Sequence, residues 1–145
     1  QALPDFDAIK LGHASDYKAA EPSALQGANH LLPTAFAKDD IYRLKALQFI
    51  IKWMSGTPDY QFDLDESVGK MVKGNEDLLG LYMACMTKYC LENPSSAKDL
   101  KLVKLESTKL LLAYCEDDTN NMSMTKQLKK LSEANKKGEL EKEMG

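Results

Sequence analysis

From Asp39 onward, apolar residues recur at the three-and-four spacing of a helix, and two long patterns of this kind meet across Asn93-Pro94-Ser95-Ser96. The first helix is expected over 39–55, with Asp39 and Asp40 placing negative charge at its amino end and Gly56 and Pro58 closing it. Its apolar residues, Tyr42, Leu44, Leu47, Phe49, Ile50, Ile51, Trp53 and Met54, take more than half of the circumference. Only Lys45, Gln48 and Lys52 remain as a polar strip. An arc that wide is expected to be covered on two sides.

Residues 59–64 alternate polar and apolar, with Tyr60, Phe62 and Leu64 on one side. The alternation suggests a strand, but no second strand pattern exists to take its backbone hydrogen bonds, so an extended connector is expected. It leads to a short helix over 65–73 that Gly74 ends. The central helix is expected over 76–92, starting from Asn75. A broad arc runs from Leu78 to Cys90, and a seam of Gly80, Ala84 and Thr87 opposite it admits a close neighbour. Ser95 or Ser96, with Asp99 completing a variant capping box, should start the next helix. Leu100, Val103, Leu110, Leu111, Tyr114 and Cys115 form its core face, and Leu105 and Leu112 suggest a second contact. After the polar break 116–121, a helix over 123–137 has only Met124, Leu128 and Leu131 as its stripe, which marks it as peripheral.

These elements define an all-α fold, a compact irregular bundle of about four to six helices. Tyr89-Cys90 and Tyr114-Cys115 echo one another at a 25-residue offset; that is short of a repeat and leaves solenoid-like helix-pair packing open. Residues 1–38, punctuated by Pro4, Gly12, Pro22, Gly27 and Pro33, read as an irregular arm. It carries one or two short helices, for example over 23–32, and packs Phe6, Ile9, Leu11 and Leu31 onto the body. Residues 39–137 form the helical domain, and 138–145 a charged tail with little to bury, expected to fray.

Composition narrows the function classes. At 145 residues with 43% hydrophobic and 28% charged, the chain suits one globular domain. Its 22 acidic and 19 basic residues interleave, so no field of one sign builds up and nucleic acid is a poor partner. Apolar runs such as Leu110-Leu111-Leu112-Ala113 fall far below the roughly 20 residues that a membrane span needs. The opening Gln1-Ala2-Leu3-Pro4, which lacks an initiator Met, fits a matured product of signal-peptide cleavage or a truncation. Export, periplasmic or secreted, is the expectation. Cys85, Cys90 and Cys115 are an odd set, expected as buried free thiols. On an antiparallel helix pair Cys90 and Cys115 would stand more than about 20 Å apart, against the roughly 6 Å a disulfide tolerates.

Three segments, 44–54 (LKALQFIIKWM), 74–84 (GNEDLLGLYMA) and 129–137 (KKLSEANKK), resemble a family of small exported all-helical bacterial proteins of unknown function. The resemblance implies export and a helical fold. It brings no activity and no site residues.

No catalytic residues are assigned. A hydrolytic triad would need His13 or His30, and neither sits in a nucleophile signature or beside a phosphate-binding glycine loop. Asp63-Leu64-Asp65-Glu66-Ser67 begins like a calcium loop, but Val68 stands where the turn needs Gly and Gly74 where the closing Glu belongs; helix capping explains it better. Asp117, Asp118, Asn120 and Asn121 lack a closing glutamate as well. Met83, Met86, Met122 and Met124 offer thioethers that suit copper(I) but equally suit core filling. Neither metal nor cofactor is therefore expected. Trp53, Tyr60, Phe62, Tyr82 and Tyr89 are the candidate ligand-binding residues: a groove they line would suit a peptide, a sugar or an apolar ligand, the alternative being that they are core. The expected function is a non-catalytic exported module binding a protein, peptide or small ligand. The alternative is a hydrolase-type enzyme using Asp59, Asp63, Asp65 or Glu66 near those aromatics.

Overall fold

Side-chain caps set where four of the helices begin in the structure, a computed structural model that describes residues 3–145. Gln1 and Ala2, on which the expectation about the chain's start rests, lie outside the described residues. Eight α-helices occur among the described residues: α1 (Ala14–Ala19), α2 (Glu21–Leu31), α3 (Ile41–Gly56), α4 (Glu66–Val72), α5 (Asp77–Glu92), α6 (Leu100–Glu116), α7 (Lys126–Lys136) and α8 (Leu140–Met144). Single 3-10 turns at Phe6–Ala8, Pro94–Ser96 and Asp118–Asn120 join them, and no strand occurs among the described residues. The all-α expectation holds, while the count exceeds four to six. The additional helices, α1 and α8, lie where glycine and charge masked the pattern, and α2 matches the short helix expected over 23–32. Pro22 occupies the first turn of α2, where its missing N–H costs nothing.

Asp40 accepts from Arg43 N at 3.1 Å and starts α3, and Asp65 accepts from Ser67 N and Val68 N at the head of α4. Three starts differ from expectation. Asp99, not Ser95 or Ser96, caps α6 through Leu102 N at 3.1 Å, because the serines are taken up in the preceding 3-10 turn. Asn75 does not cap α5; its amide reaches Ser123 O at 3.0 Å and Met122 Sδ at 3.2 Å, tying two loops together. Helix α7 begins after Thr125, whose hydroxyl accepts from Leu128 N at 3.1 Å and donates to Met71 O at 2.5 Å. One residue thus caps α7 and ties it to α4.

Helix α5 is central and packs against α2, α3, α4 and α6. Its small-residue seam does what the sequence implied: Ala84 joins Ala24, Ala28, Ala46, Phe49, Ile50 and Trp53 in the core shared by α2 and α3. The broad arc, including Leu78, Leu81, Tyr82, Cys85 and Met86, enters a second core with Val68, Met71, Val103, Leu111, Leu112 and Leu128. Leu140 of the terminal segment is buried in that second core, and α8 packs on α6 and α7. The three cysteines are free and buried. Burial pushes the Cys90 and Cys115 thiols up to about 11. Cys85 also rises, through burial first and then the nearby Cys115.

Candidate binding cleft

Part of the wide apolar arc of α3 remains uncovered. Ala46, Phe49, Ile50 and Trp53 are buried, yet Ile41 is 67% exposed, Leu44 50% and Ile51 39%. At 3.6 residues per turn, Ile41, Leu44, Gln48, Ile51 and Ser55 share one stripe of the helix, and none of them is buried. As expected, the arc is covered on two sides, by α2 and by α5, and α1 and the Phe6–Ala8 turn also pack on α3, while Ile41, Leu44 and Ile51 stay exposed.

Beside the stripe lies a cleft of about 350 Å³ between the amino-terminal halves of α3 and α5, closed at one end by the segment that follows α2. Leu31, Phe36, Leu44, Leu47 and Leu81 supply its apolar lining, and Lys38, Asp40 and Asp77 supply polar groups. Gly80 is what lets the helices meet this way, since a Cβ there would stand 2.6 Å from Cδ2 of Leu47.

Arg43 braces the cleft from below. Its guanidinium is buried, and Nη1 donates to Leu31 O at 3.1 Å and Thr34 O at 3.2 Å. Nη2 donates to the Tyr114 hydroxyl at 3.3 Å, which in turn donates to Thr34 O at 2.8 Å. The Phe36 ring lies 5.9 Å from Arg43 Cζ, and Phe36 N donates to Asn120 O at 2.9 Å. The buried cation thereby ties the last carbonyl of α2 to that of Thr34 in the segment that follows it.

The aromatic residues singled out from sequence fall in three places. Trp53, Tyr60 and Phe62 come together, with centroids 5.8 Å apart for Trp53–Tyr60 and 5.6 Å for Trp53–Phe62, and Tyr60 stacks on Phe62 at 6.2 Å. Trp53 is fully buried and donates through Nε1 to Tyr17 O at 3.0 Å. Tyr60 lines a second cleft of about 570 Å³ with Lys18, Asp59, Gln61, Lys98 and Leu100. Tyr82 is buried between α5 and the second core, its hydroxyl without a partner among the described residues. Tyr89 is half-buried, beside Lys88, Glu92, Glu106 and Lys109 on another face. None of the five lines the α3–α5 cleft.

The carboxylates separate by environment. Lys104 Nζ, 2.5 Å from Asp65 Oδ2, is the main reason that Asp65 is held down at about 2, helped by the Ser67 hydroxyl and Val68 N. Asp65 is thus a permanent anion spent on a cap and an ion pair. Glu21 moves the other way: burial raises it, Asp59 adds to the rise, and Lys18 opposes it. One Glu21 oxygen is buried with no hydrogen-bond partner among the described residues. Tyr60 also rises, through burial and then the Glu21 charge.

Of the histidines, His13 precedes α1, where the Asp16 carboxylate accepts from its backbone N at 2.9 Å, and His30 sets an edge against Tyr42. Among the described residues no group of three or more His, Cys, Asp or Glu side chains is placed to hold a metal, and no helix is long and apolar enough to cross a membrane. Comparison of the chain with protein-family models, with curated proteins and with solved structures gave no match.

Sequence reasoning did not single out Ile41, Leu44, Leu47, Ile51, Asp77 and Gly80, which form the stripe and cleft. The signal was present in the excess width of the α3 arc. Ala46, Phe49, Ile50 and Trp53 fill the core that α3 shares with α2 and α5, which leaves Ile41, Leu44 and Ile51 as a separate stripe.

Proposed function

We propose that this chain is a non-catalytic binding module that holds an apolar segment of a protein partner on the α3 stripe and in the adjoining α3–α5 cleft. The observation that carries this is the exposure of Ile41, Leu44 and Ile51 on one stripe, continuous through Leu44 with the cleft lined by Leu47, Gly80 and Leu81. Covering an exposed leucine or isoleucine gains roughly 1 to 2 kcal/mol. Three such side chains with an anchor in the cleft offset part of the cost of association, as suits a weak, reversible partner. Export of the module is part of the same proposal and is supported by the resemblance of three segments to small exported helical proteins.

The test is selection of a displayed peptide library on the immobilised chain, on Leu44→Glu and on Leu64→Glu, since Leu64 is 44% exposed and lies outside the cleft. Enrichment on the wild type and on Leu64→Glu but not on Leu44→Glu is expected. Equal enrichment on all three would overturn the proposal.

One observation favours a second reading, in which the chain performs acid chemistry. Glu21, raised by burial and by Asp59, adjoins Tyr60 and the cleft that Tyr60 lines, which is the perturbed carboxyl such chemistry requires. Nuclear magnetic resonance titration of the Glu21 carboxyl decides it. A midpoint above the ordinary 4.5 supports the role, and one at or below 4.5 ends it.

A further inference from the structure

We infer that the occupant of the α3 stripe and cleft is an amphipathic helix whose apolar face is bordered, at its carboxyl-terminal end, by lysine or arginine. The inference rests on the binding function proposed above and adds the partner's form and charge.

The backbone of α3 is satisfied within its own helix, so the stripe offers no edge for strand addition. An occupant that lies flat on the stripe keeps its backbone hydrogen-bonded most simply as a helix, which satisfies its own N–H and C=O groups. Ile41, Leu44 and Ile51 recur at the spacing by which one helix accepts the ridges of another.

The charge of the occupant follows from the mouth of the cleft. Asp40 and Asp77 both line it, at the heads of α3 and α5, and both are exposed. Neither lies within ion-pair distance of a cation among the described residues. Asp39 and Glu76, next to them in sequence, are exposed acids as well. The cation facing them at the mouth is Lys38, because the Arg43 guanidinium is buried and committed to Leu31 O, Thr34 O and the Tyr114 hydroxyl. The mouth is therefore negative on balance and complements a basic group. Antiparallel packing on α3 opposes the two helix dipoles and brings the carboxyl-terminal turn of the occupant to this mouth. Its own dipole favours lysine and arginine in that turn.

The experiment compares displayed helical peptides carrying Lys, Gln or Glu in the last turn on the wild type, on Leu44→Glu and on the double variant Asp40→Asn/Asp77→Asn. Asparagine caps a helix as well as aspartate, so the double variant keeps α3 intact. Lysine peptides are expected to bind the wild type about tenfold more tightly than glutamate peptides at low salt, a preference lost in the double variant and at high salt. Leu44→Glu should abolish binding of every class. Binding that needs Leu44 but ignores charge overturns the inference and leaves the binding function standing. Absence of binding, or binding indifferent to Leu44, overturns both.

Discussion

Leu47 and Gly80 meet so closely that a Cβ on Gly80 would stand 2.6 Å from the Leu47 Cδ2 atom. The contact lies where α3 and α5 converge, and both residues line the cleft beside the exposed stripe of α3. Glycine inside a helix costs about 1 kcal/mol relative to alanine, so its presence at position 80 is explained by this approach and not by helix formation.

Gly80→Ala should therefore separate stability from binding. The gain in helix propensity offsets the displacement of the flexible Leu47 terminus, and unfolding free energy should change by less than about 1 kcal/mol in urea titration. Leu47 is forced to shift within the cleft it lines, and affinity for a helical peptide should fall. A variant that binds as the wild type does would show that the cleft takes no part.

Tyr114→Phe should cost about 1 to 2 kcal/mol. It removes the hydroxyl that donates to Thr34 O and accepts from Arg43 Nη2, leaving a buried guanidinium short of a partner. Chemical denaturation measures the cost, and an unchanged midpoint would show that the Arg43 cluster is not a brace.

Acid stability should carry the signature of Asp65. Its folded value of about 2 lies below the ordinary 3.8, so the ion pair with Lys104 contributes fully above about pH 4. The contribution is lost as pH falls toward 2. Asp65→Asn, which preserves the cap, should flatten that part of the stability curve and cost less than about 1 kcal/mol at neutral pH.

The thiols give the opposite sign. Cys90 and Cys115 sit at about 11 in the folded chain against an ordinary 9.0, so their contribution is complete below about pH 9 and is lost as pH rises toward 11. At about pH 8 a disulfide reagent should label none of Cys85, Cys90 and Cys115 until urea unfolds the chain. Rapid labelling of the folded protein would contradict their burial.

Legibility from sequence followed periodicity. The long helices α3, α5 and α6 stand within a residue or two of their expected bounds, apart from the first five residues before α6, because broad apolar arcs and helix breakers mark them. α2 lies within two residues of the short helix expected over 23–32, whereas α1 and α8 were obscured because Gly12 and Gly138 read as interruptions, although a left-handed glycine after a last turn accompanies a helix. Trp53, Tyr60 and Phe62 gather as their spacing suggested. The cleft was invisible for a different reason: it depends on how α3 and α5 are set against each other, and Leu47 and Gly80 stand 33 positions apart in a sequence whose local patterns say nothing of that pairing.

The most direct test of the α3 surface as the docking site is a methyl and amide shift map of the folded chain titrated with a selected helical peptide. Shifts centred on Ile41, Leu44, Leu47, Ile51, Asp77 and Gly80 are the expected result. Shifts confined to Lys18, Asp59, Tyr60 and Lys98, with the α3 stripe unmoved, would contradict it.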